Sequence, residues 1–539
     1  MNTLDLVLGI DSSTQGTTAV VLDRRTLEVV VNKKLNFRED ERLSRYLPPG
    51  ASAPVLIARE PGEADQDPTM YLAALDALFD ELGSAVCSRL AGIGLSAQQH
   101  GQVWLTREGV HAIAALREAV HPDGRDWHLA SFPPAGFAEP RAPIWMTSST
   151  AREADDIRSA CGGVEEVTRL SGSDSPLRFS GAVLRRIALR RPEVYARAAR
   201  VHLISSFLTA VLCGDPDAPI DWGNGSGMSL MNWTDCRWDR VLLSAVAQGL
   251  PGGAEGLLAR LPRLAHPLET VGRIAPRLAR RFGFHDRCAI LAGSGDNPQT
   301  KVLSEGDLLS LGTSFVTMTA NGAPHPSVNA MYDGLGRPFQ FGCRTNGALA
   351  WEAIRLRHGL DPGDFAASDA ALATFVVGSA AADFIFQPEV ESFPESPRNL
   401  PPMRSPFPLE YAAAVDTSLS LLHLASRAST RDAGPVVVAG GAATSQRVRQ
   451  RVATIWGRPI AKMADAGAGT GAAVGAAMAL DTEAGRAATA ERARRRCLEN
   501  VDMVWPDAAA TAALRSPGGY FQRLTEAFTA LGGRPTWTL

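Results

Sequence analysis

The chain has 539 residues, too many for one hydrophobic core, so two large domains are expected. Hydrophobic residues make up 45% and charged residues 21%, an ordinary globular balance, and the net charge of −3 excludes a global basic field for nucleic acid or an anionic membrane. Seven scattered cysteines without a CxxC pair argue against a zinc site or a disulfide framework, no apolar run reaches membrane-spanning length, and the start shows no leader pattern; a cytoplasmic protein is expected.

In chain order, residues 6–10 (LVLGI) read as a strand, 11–16 (DSSTQG) as a hydroxyl-rich turn and 17–22 (TTAVVL) as the return strand. Apolar residues at helical spacing predict a helix over 69–82. A short strand at 91–95 leads into the polar loop 96–101, SAQQHG. Residues 108–143 are irregular and rich in Pro, Gly and His, and are expected to form a surface insertion. The stretch 178–200 is helical in character but contains Pro192, so two helices are expected. Prolines and glycines over 251–276 place the domain connection near Arg273, dividing the chain into 1–273 and 274–539.

The second half repeats the opening theme. Residues 308–311 are strand-like, Gly312, Thr313 and Ser314 form the turn, and 315–319 return, so a diverged internal duplication is expected. Later, the buried-type strand 436–439 runs into Gly440, Gly441, Ala442 and Ser445, and a helix follows from Gln446. Gly467, Gly471 and Gly475 would line one helix face, which suits close packing on a neighbouring element.

Glycine N–H groups and Ser or Thr hydroxyls at a turn can cradle a phosphate chain. The first turn, with Thr14, Gly16, Thr17 and Thr18, and the second, with Gly312 and Thr313, both meet that description without forming a Walker A loop. Asp11 ends the first strand; its carboxylate suits Mg2+ held partly through water, and the plainer alternative is a turn cap. Asp296, in GSGDN after the strand ending at 291, could accept the proton of an attacking hydroxyl, against the alternative of an Asx-type turn. Gln99 and His100 carry groups that can bond sugar hydroxyls.

These motifs together resemble the FGGY carbohydrate kinases over nearly the full chain. LGIDSSTQGTTAVVLD resembles the first phosphate motif, LLSLGTSFVTM the second, and VVVAGGAATSQRVRQRVATIWGRPI the adenosine motif. GSGDNP resembles the segment that carries the catalytic aspartate. SAQQHG, PIWMTSST, RFSG and the stretch 202–232 are most similar to xylulose kinases. The resemblance implies an α/β fold of two ribonuclease-H-like (actin-like ATPase) domains around a central cleft. It implies that Gln99, His100, Arg178, Asp296 and Asn297 hold D-xylulose, and that Asp296 takes the proton of its 5-hydroxyl. Mg2+ would lie at Asp11 and Asp296. ATP would lie against Thr14, Gly16, Thr17, Thr18, Gly312, Thr313, Gly440, Gly441, Ala442 and Ser445.

Thr147 stands where the family's tryptophan motif has an acidic residue, and Ser445 where an asparagine is common. The expected partners are D-xylulose and ATP, with no nucleic acid or membrane, as a monomer or homodimer. The alternatives are another ketose or a pentitol as acceptor (D-ribulose or L-xylulose among them), or a non-catalytic sugar-binding regulator on the same scaffold. The arginine runs at 185–200 and 492–496 are expected to be solvated helix faces rather than a nucleic-acid surface.

Overall fold

The aliphatic run LVLGIDS is covered on both faces of a sheet, as an unbroken apolar strand requires. It is β1 (Leu6–Ser12), paired antiparallel with β2 (Gly16–Asp23), which pairs antiparallel with β3 (Val29–Asn36). The strand expected at 91–95 is β4 (Leu90–Ala97), parallel to β1 and buried throughout. Beyond it come β5 (Thr270–Arg273), β6 (Ala289–Leu291) and β7 (Ser294–Gly295); β6 and β7 both run parallel to β4. The spatial order is β5-β6-β4-β1-β2-β3. The computed structural model describes all residues except 1–3, 119–126, 321, 326–327, 345–346, 381–383, 387–396, 398, 400–404, 431–433, 464–466 and 499–502.

A second sheet holds β8 (Leu308–Leu311), β9 (Phe315–Thr319), β10 (Asn329–Tyr332), β11 (Pro338–Arg344), β12 (Val436–Ala439), β13 (Ile460–Lys462) and β14 (Met503–Val504). Its order is β10-β11-β9-β8-β12-β13-β14. In each sheet three antiparallel strands (β3-β2-β1, β11-β9-β8) are followed by two parallel ones (β4-β6, β12-β13) and an antiparallel edge (β5, β14). The duplication read from two hairpins thus extends to whole sheets.

Five helices matter for the site. The first, α1 (Pro68–Cys87), starts where Asp67 accepts the Thr69 N–H at 2.8 Å and Pro68 takes the first helical position. The others are α2 (Trp222–Ser226), α3 (Asp296–Lys301), α4 (Gln446–Trp456) and α5 (Ala468–Ala479). As expected, 178–200 splits at its proline into Ser180–Arg190 and Pro192–Arg197.

Three expectations need correction. Arg273 lies inside the first sheet, paired with Ala289, and the change of sheet comes between Gly295 and Leu308; the strand expected to end at 291 is β6, and its pairing with β4, not its own residues, decides which sheet it joins. The 108–143 segment is not only surface. It forms the helix Arg107–Ala114 and three short turns, and it buries Ile113, Leu116, Leu129, Phe132 and Phe137 in the first core. Phe132 and Phe137 lie 4.9 Å apart, and each lies 6.2 Å from Phe207. Residues 119–126 of that segment are outside the described residues. Finally, Arg185 and Arg191 are not on solvated faces. Arg185 is buried and pairs with Asp156 at 3.0 Å, while Arg191 binds Glu63 at 2.7 Å and Glu139 at 2.6 Å.

Candidate active site

Parallel strands bring distant residues to one sheet edge, and ligands in such sheets bind beyond the carboxyl ends. Here β1, β4 and β7 end together. Asp11 lies opposite Ser96, and Ser96 opposite Ser294. Asp11, the loop Gln98 to His100, and Asp296 with Asn297 therefore share one edge. β1 and β7 flank β4, so they are two strand spacings, about 10 Å, apart.

Asp296 opens α3 directly after β7. Gly293, at φ +72°, makes the kink between β6 and β7, where an added Cβ would fall 2.8 Å from Thr209 Oγ1. A Cβ on Gly295 would fall 2.3 Å from Gln99 Cγ; the bare backbone lets Gln99 lie across it. Gln99 Oε1 accepts from Asn297 Nδ2 at 3.1 Å, and the Asn297 backbone N–H donates to Asp296 Oδ1 at 2.8 Å. Burial, and then the negative charge of Asp11, push the Asp296 carboxyl up to about 7. The Asp11 carboxyl is itself raised by burial, against hydroxyls of Ser13 and Ser96 that donate to it; the Ser96 bond is 2.7 Å.

His100 takes a left-handed backbone, φ +67°, and stacks on Phe179 at 4.7 Å. Its Nδ1–H donates to the Gly227 carbonyl at 3.0 Å, which leaves Nε2 as the acceptor. Burial, and then the neighbouring Arg178 charge, push it down to about 3, so the ring is neutral. Gln99, His100, Arg178, Asp296 and Asn297 are thus brought together. The preceding Gln98 turns the other way and donates to Gln66 Oε1 at 2.6 Å.

The first hydroxyl turn is more structural than its composition suggests. Thr17 is buried with its hydroxyl 3.2 Å from that of Ser12, and Gly16 is pressed on the Leu35 carbonyl. Thr14 Oγ1 accepts from Trp145 Nε1 at 2.8 Å and donates to Gln98 Oε1 at 3.1 Å. Thr14 and Thr18 keep partial exposure. Thr147 is buried and donates to the Ala64 carbonyl at 3.2 Å, a bond its hydroxyl can make and a carboxylate cannot.

The second turn opens on a cavity of about 690 Å³, within the range of small-molecule sites. Gly312, Thr313, Gly441, Ala442 and Ser445 line it. Gly440 does not; its backbone, at φ +91°, packs on Leu311. Ser445 caps α4, accepting the Val448 N–H at 3.1 Å, and donates to Asp369 at 2.6 Å. Sequence reasoning missed the far wall, including Phe365, Asp369 and Tyr411. Those residues lie on helices whose polar and apolar faces carry no phosphate-like motif. It also missed Asp221, which is buried and hydrogen-bonded to Ser294 at 2.6 Å. The signal there was a strand ending in Asp before a glycine-bearing turn, Trp222 to Ser226.

Residues 140–302 match the N-terminal domain of the FGGY family of carbohydrate kinases. The chain is 32% identical to xylulose kinase 2 of Arabidopsis thaliana over 317 residues, 57% of this chain and 53% of that protein. It is 32% identical over 365 residues to a probable D-xylulose kinase A of Aspergillus flavus, 65% of this chain and 60% of that one. The match therefore spans little more than half of these curated relatives. In structure it is similar to a xylulose kinase from Lactobacillus acidophilus, with a TM-score of 0.75, 20% identity and 98% of both chains covered. It is also similar to a glycerol kinase from Plasmodium falciparum, with a TM-score of 0.70, 14% identity, and 97% and 98% covered. Residues 140–302 are thus similar to the N-terminal domain of the FGGY carbohydrate kinases, and the chain as a whole shares the fold of these solved kinases.

Proposed function

We propose that the protein transfers the γ-phosphate of ATP to the 5-hydroxyl of D-xylulose, giving D-xylulose 5-phosphate and ADP. The observation that carries this reading is the placement of Asp296. Its carboxyl, held at about 7, opens α3 just after β7, beside the Gln99 and Asn297 amides and near Asp11. A base with that affinity accepts a hydroxyl proton at neutral pH, where about half of it is unprotonated and ready to do so. The sugar oxygen then forms its bond to the γ-phosphorus as the bond to the β-phosphate oxygen breaks, and the proton stays on Asp296. Gln99, His100, Arg178 and Asn297 orient the sugar, with His100 Nε2 accepting from a sugar hydroxyl. The cavity bordered by Gly441 and Ala442 takes the adenosine, and Gly312 and Thr313 face its phosphates.

Asp11 and Asp296 fit Mg2+ arriving with ATP. Their repulsion is opposed by no basic side chain among the causes that set the Asp296 carboxyl, and no cluster of three or more His, Cys, Asp or Glu exists among the described residues. Such a site suits an ion bound by one or two carboxylates and phosphate oxygens. When bound, Mg2+ neutralises charge on the transferring phosphate. Among the described residues no helix is long and apolar enough to cross a membrane, and the buried thiols Cys87 and Cys288 are free, which supports a cytoplasmic setting.

The test is ADP release with D-xylulose, D-ribulose, L-xylulose and pentitols. D-Xylulose is expected to give the highest kcat/KM; turnover no higher than with water alone would defeat the reading. Asp296→Asn should lower kcat by roughly 10²- to 10⁴-fold while sugar binding persists.

A further inference from the structure

We infer that Asp221 is a positioning residue for Asp296: its carboxylate clamps β7 to the start of α2 and so fixes where the base stands. This rests on the assignment of Asp296 as the base. Asp221 is fully buried, and no cation pairs with it among the described residues. Hydrogen bonds alone satisfy it. Oδ2 accepts the Ser294 hydroxyl at 2.6 Å and the Gly223 N–H at 2.8 Å, and Oδ1 accepts the Asn224 N–H at 3.1 Å.

Capping does not account for a charge there. Asn and Ser cap a helix about as well as Asp, without the cost of burying an ion. What the carboxylate adds is a short, charge-assisted bond to Ser294. Space is kept for that bond, because a Cβ on Gly223 would fall 2.5 Å from the Ser294 hydroxyl.

Ser294 stands two residues before Asp296. It lies in a two-residue strand that follows the kink at Gly293 and rests on β4 only at Ser96 and Ala97. Without a side-chain tether, the base would end a Gly-Ser-Gly segment with little to hold it. The clamp is anchored in turn. Asn224 Nδ2 donates to Ser205 Oγ at 2.8 Å, and Ser226 Oγ donates to the Gly223 carbonyl at 2.8 Å and accepts the Tyr332 N–H of β10 at 3.4 Å. The base is thereby referenced to the edge of the second sheet as well as to its own.

Partners that orient a reacting group are worth roughly 10- to 100-fold in activity. Ser294→Ala, which removes one hydroxyl, and Asp221→Asn are each expected to lower kcat about 10-fold or more. The KM values for sugar and ATP should move much less, with thermal stability near the parent's. Because one bond is lost in both, the double variant should be no slower than the slower single. A Ser294→Ala enzyme with parental kcat, or losses that multiply in the double variant, would overturn the clamp. Asp296→Asn measured alongside separates the two ideas. Full activity there defeats the base, whereas an inactive Asp296→Asn beside a fully active Ser294→Ala defeats the clamp alone.

Discussion

The same burial that raises the Asp296 carboxyl toward the range of the proposed base lowers the His100 ring out of it, and pH tells the two apart. Asp296 must be unprotonated to take a proton, and its carboxyl sits at about 7, so kcat/KM is expected to rise with pH to about 7 and then level. His100, pushed down to about 3, stays neutral throughout and contributes no limb near 6.5. A log(kcat/KM) profile still flat at pH 5 would mean that Asp296 is an ordinary carboxylate. His423 makes the stability counterpart. It is buried between Trp456 and Phe521, neither ring nitrogen has a hydrogen-bond partner among the described residues, and burial pushes it down to about 3. Above pH 6.5 neither the folded nor the unfolded chain protonates it. Below 6.5 the unfolded chain takes up a proton that the folded chain refuses, so stability is lost as pH falls toward 3. His423→Phe removes that loss. Its unfolding free energy relative to the parent should be about 2 kcal/mol more favourable at pH 5 than at pH 8, and an equal difference at both pH values would refute the account.

Among the elements, α5 shows what periodicity can and cannot reveal. Its row of Gly467, Gly471 and Gly475 suggested close packing, and α5 does lie on β1, β4 and α3, but of the row only Gly471 makes the close approach. A Cβ on Gly471 would fall 1.9 Å from the Gln299 carbonyl, one on Gly9 1.8 Å from the Gly469 carbonyl, and one on Gly94 2.1 Å from the Ala472 carbonyl. Among the described residues, Gly475 meets nothing closer than Leu268 at 3.8 Å, and Gly467 meets nothing within 4 Å. Gly475→Ala is therefore expected to leave stability unchanged or raise it by up to about 1 kcal/mol through helix propensity, whereas Gly471→Ala should destabilise the fold by several times that or prevent folding. Thermal melts of the two variants decide it; equal melting temperatures would contradict the packing. Local structure was legible because it is locally encoded. Apolar runs and turn residues revealed both hairpins, Pro192 the helix break, and the stretch after the Gly440–Gly441 turn the helix from Gln446. Partners were not. Which glycine faces a backbone, which arginine meets a carboxylate and whether 108–143 covers a core depend on chain far outside the local window, from tens to hundreds of residues away. The candidate site divides in the same way: the residues on strand-end motifs that the sequence singled out lie together at one edge, and the helical far wall of the second-half cavity was not singled out.

At the scale of the whole molecule, the two halves are not independent bodies joined by one linker. The chain passes from the first sheet to the second between Gly295 and Leu308, and near its end returns through α5 to cover the first sheet. Val7, Val20 and Leu22 of β1 and β2 share one buried cluster with Ala473, Val474, Ala476 and Ala477 of α5. A Cβ on Gly469, in the first turn of α5, would lie 3.7 Å from that of Asp11, so the helix that completes this core also borders the proposed catalytic edge. If the second half takes the nucleotide as proposed, α5 is a rigid element through which it can act on the first. The same arrangement governs folding. A segment ending at residue 306 keeps the strands β1 to β7 but lacks the helix that covers one face of them, leaving those valines and leucines in water. Expressed alone, it should bind a hydrophobic dye and unfold without a cooperative transition, because its missing layer is needed for a native core. Supplying residues 307–539 as a second chain should restore cooperative unfolding and ADP release together. A sharp thermal transition in the isolated segment would show instead that α5 is an accessory to that core. The catalytic edge would then have to be held by the first half alone, through the tethers that Gln98, Ser96 and Ser294 make across its strands.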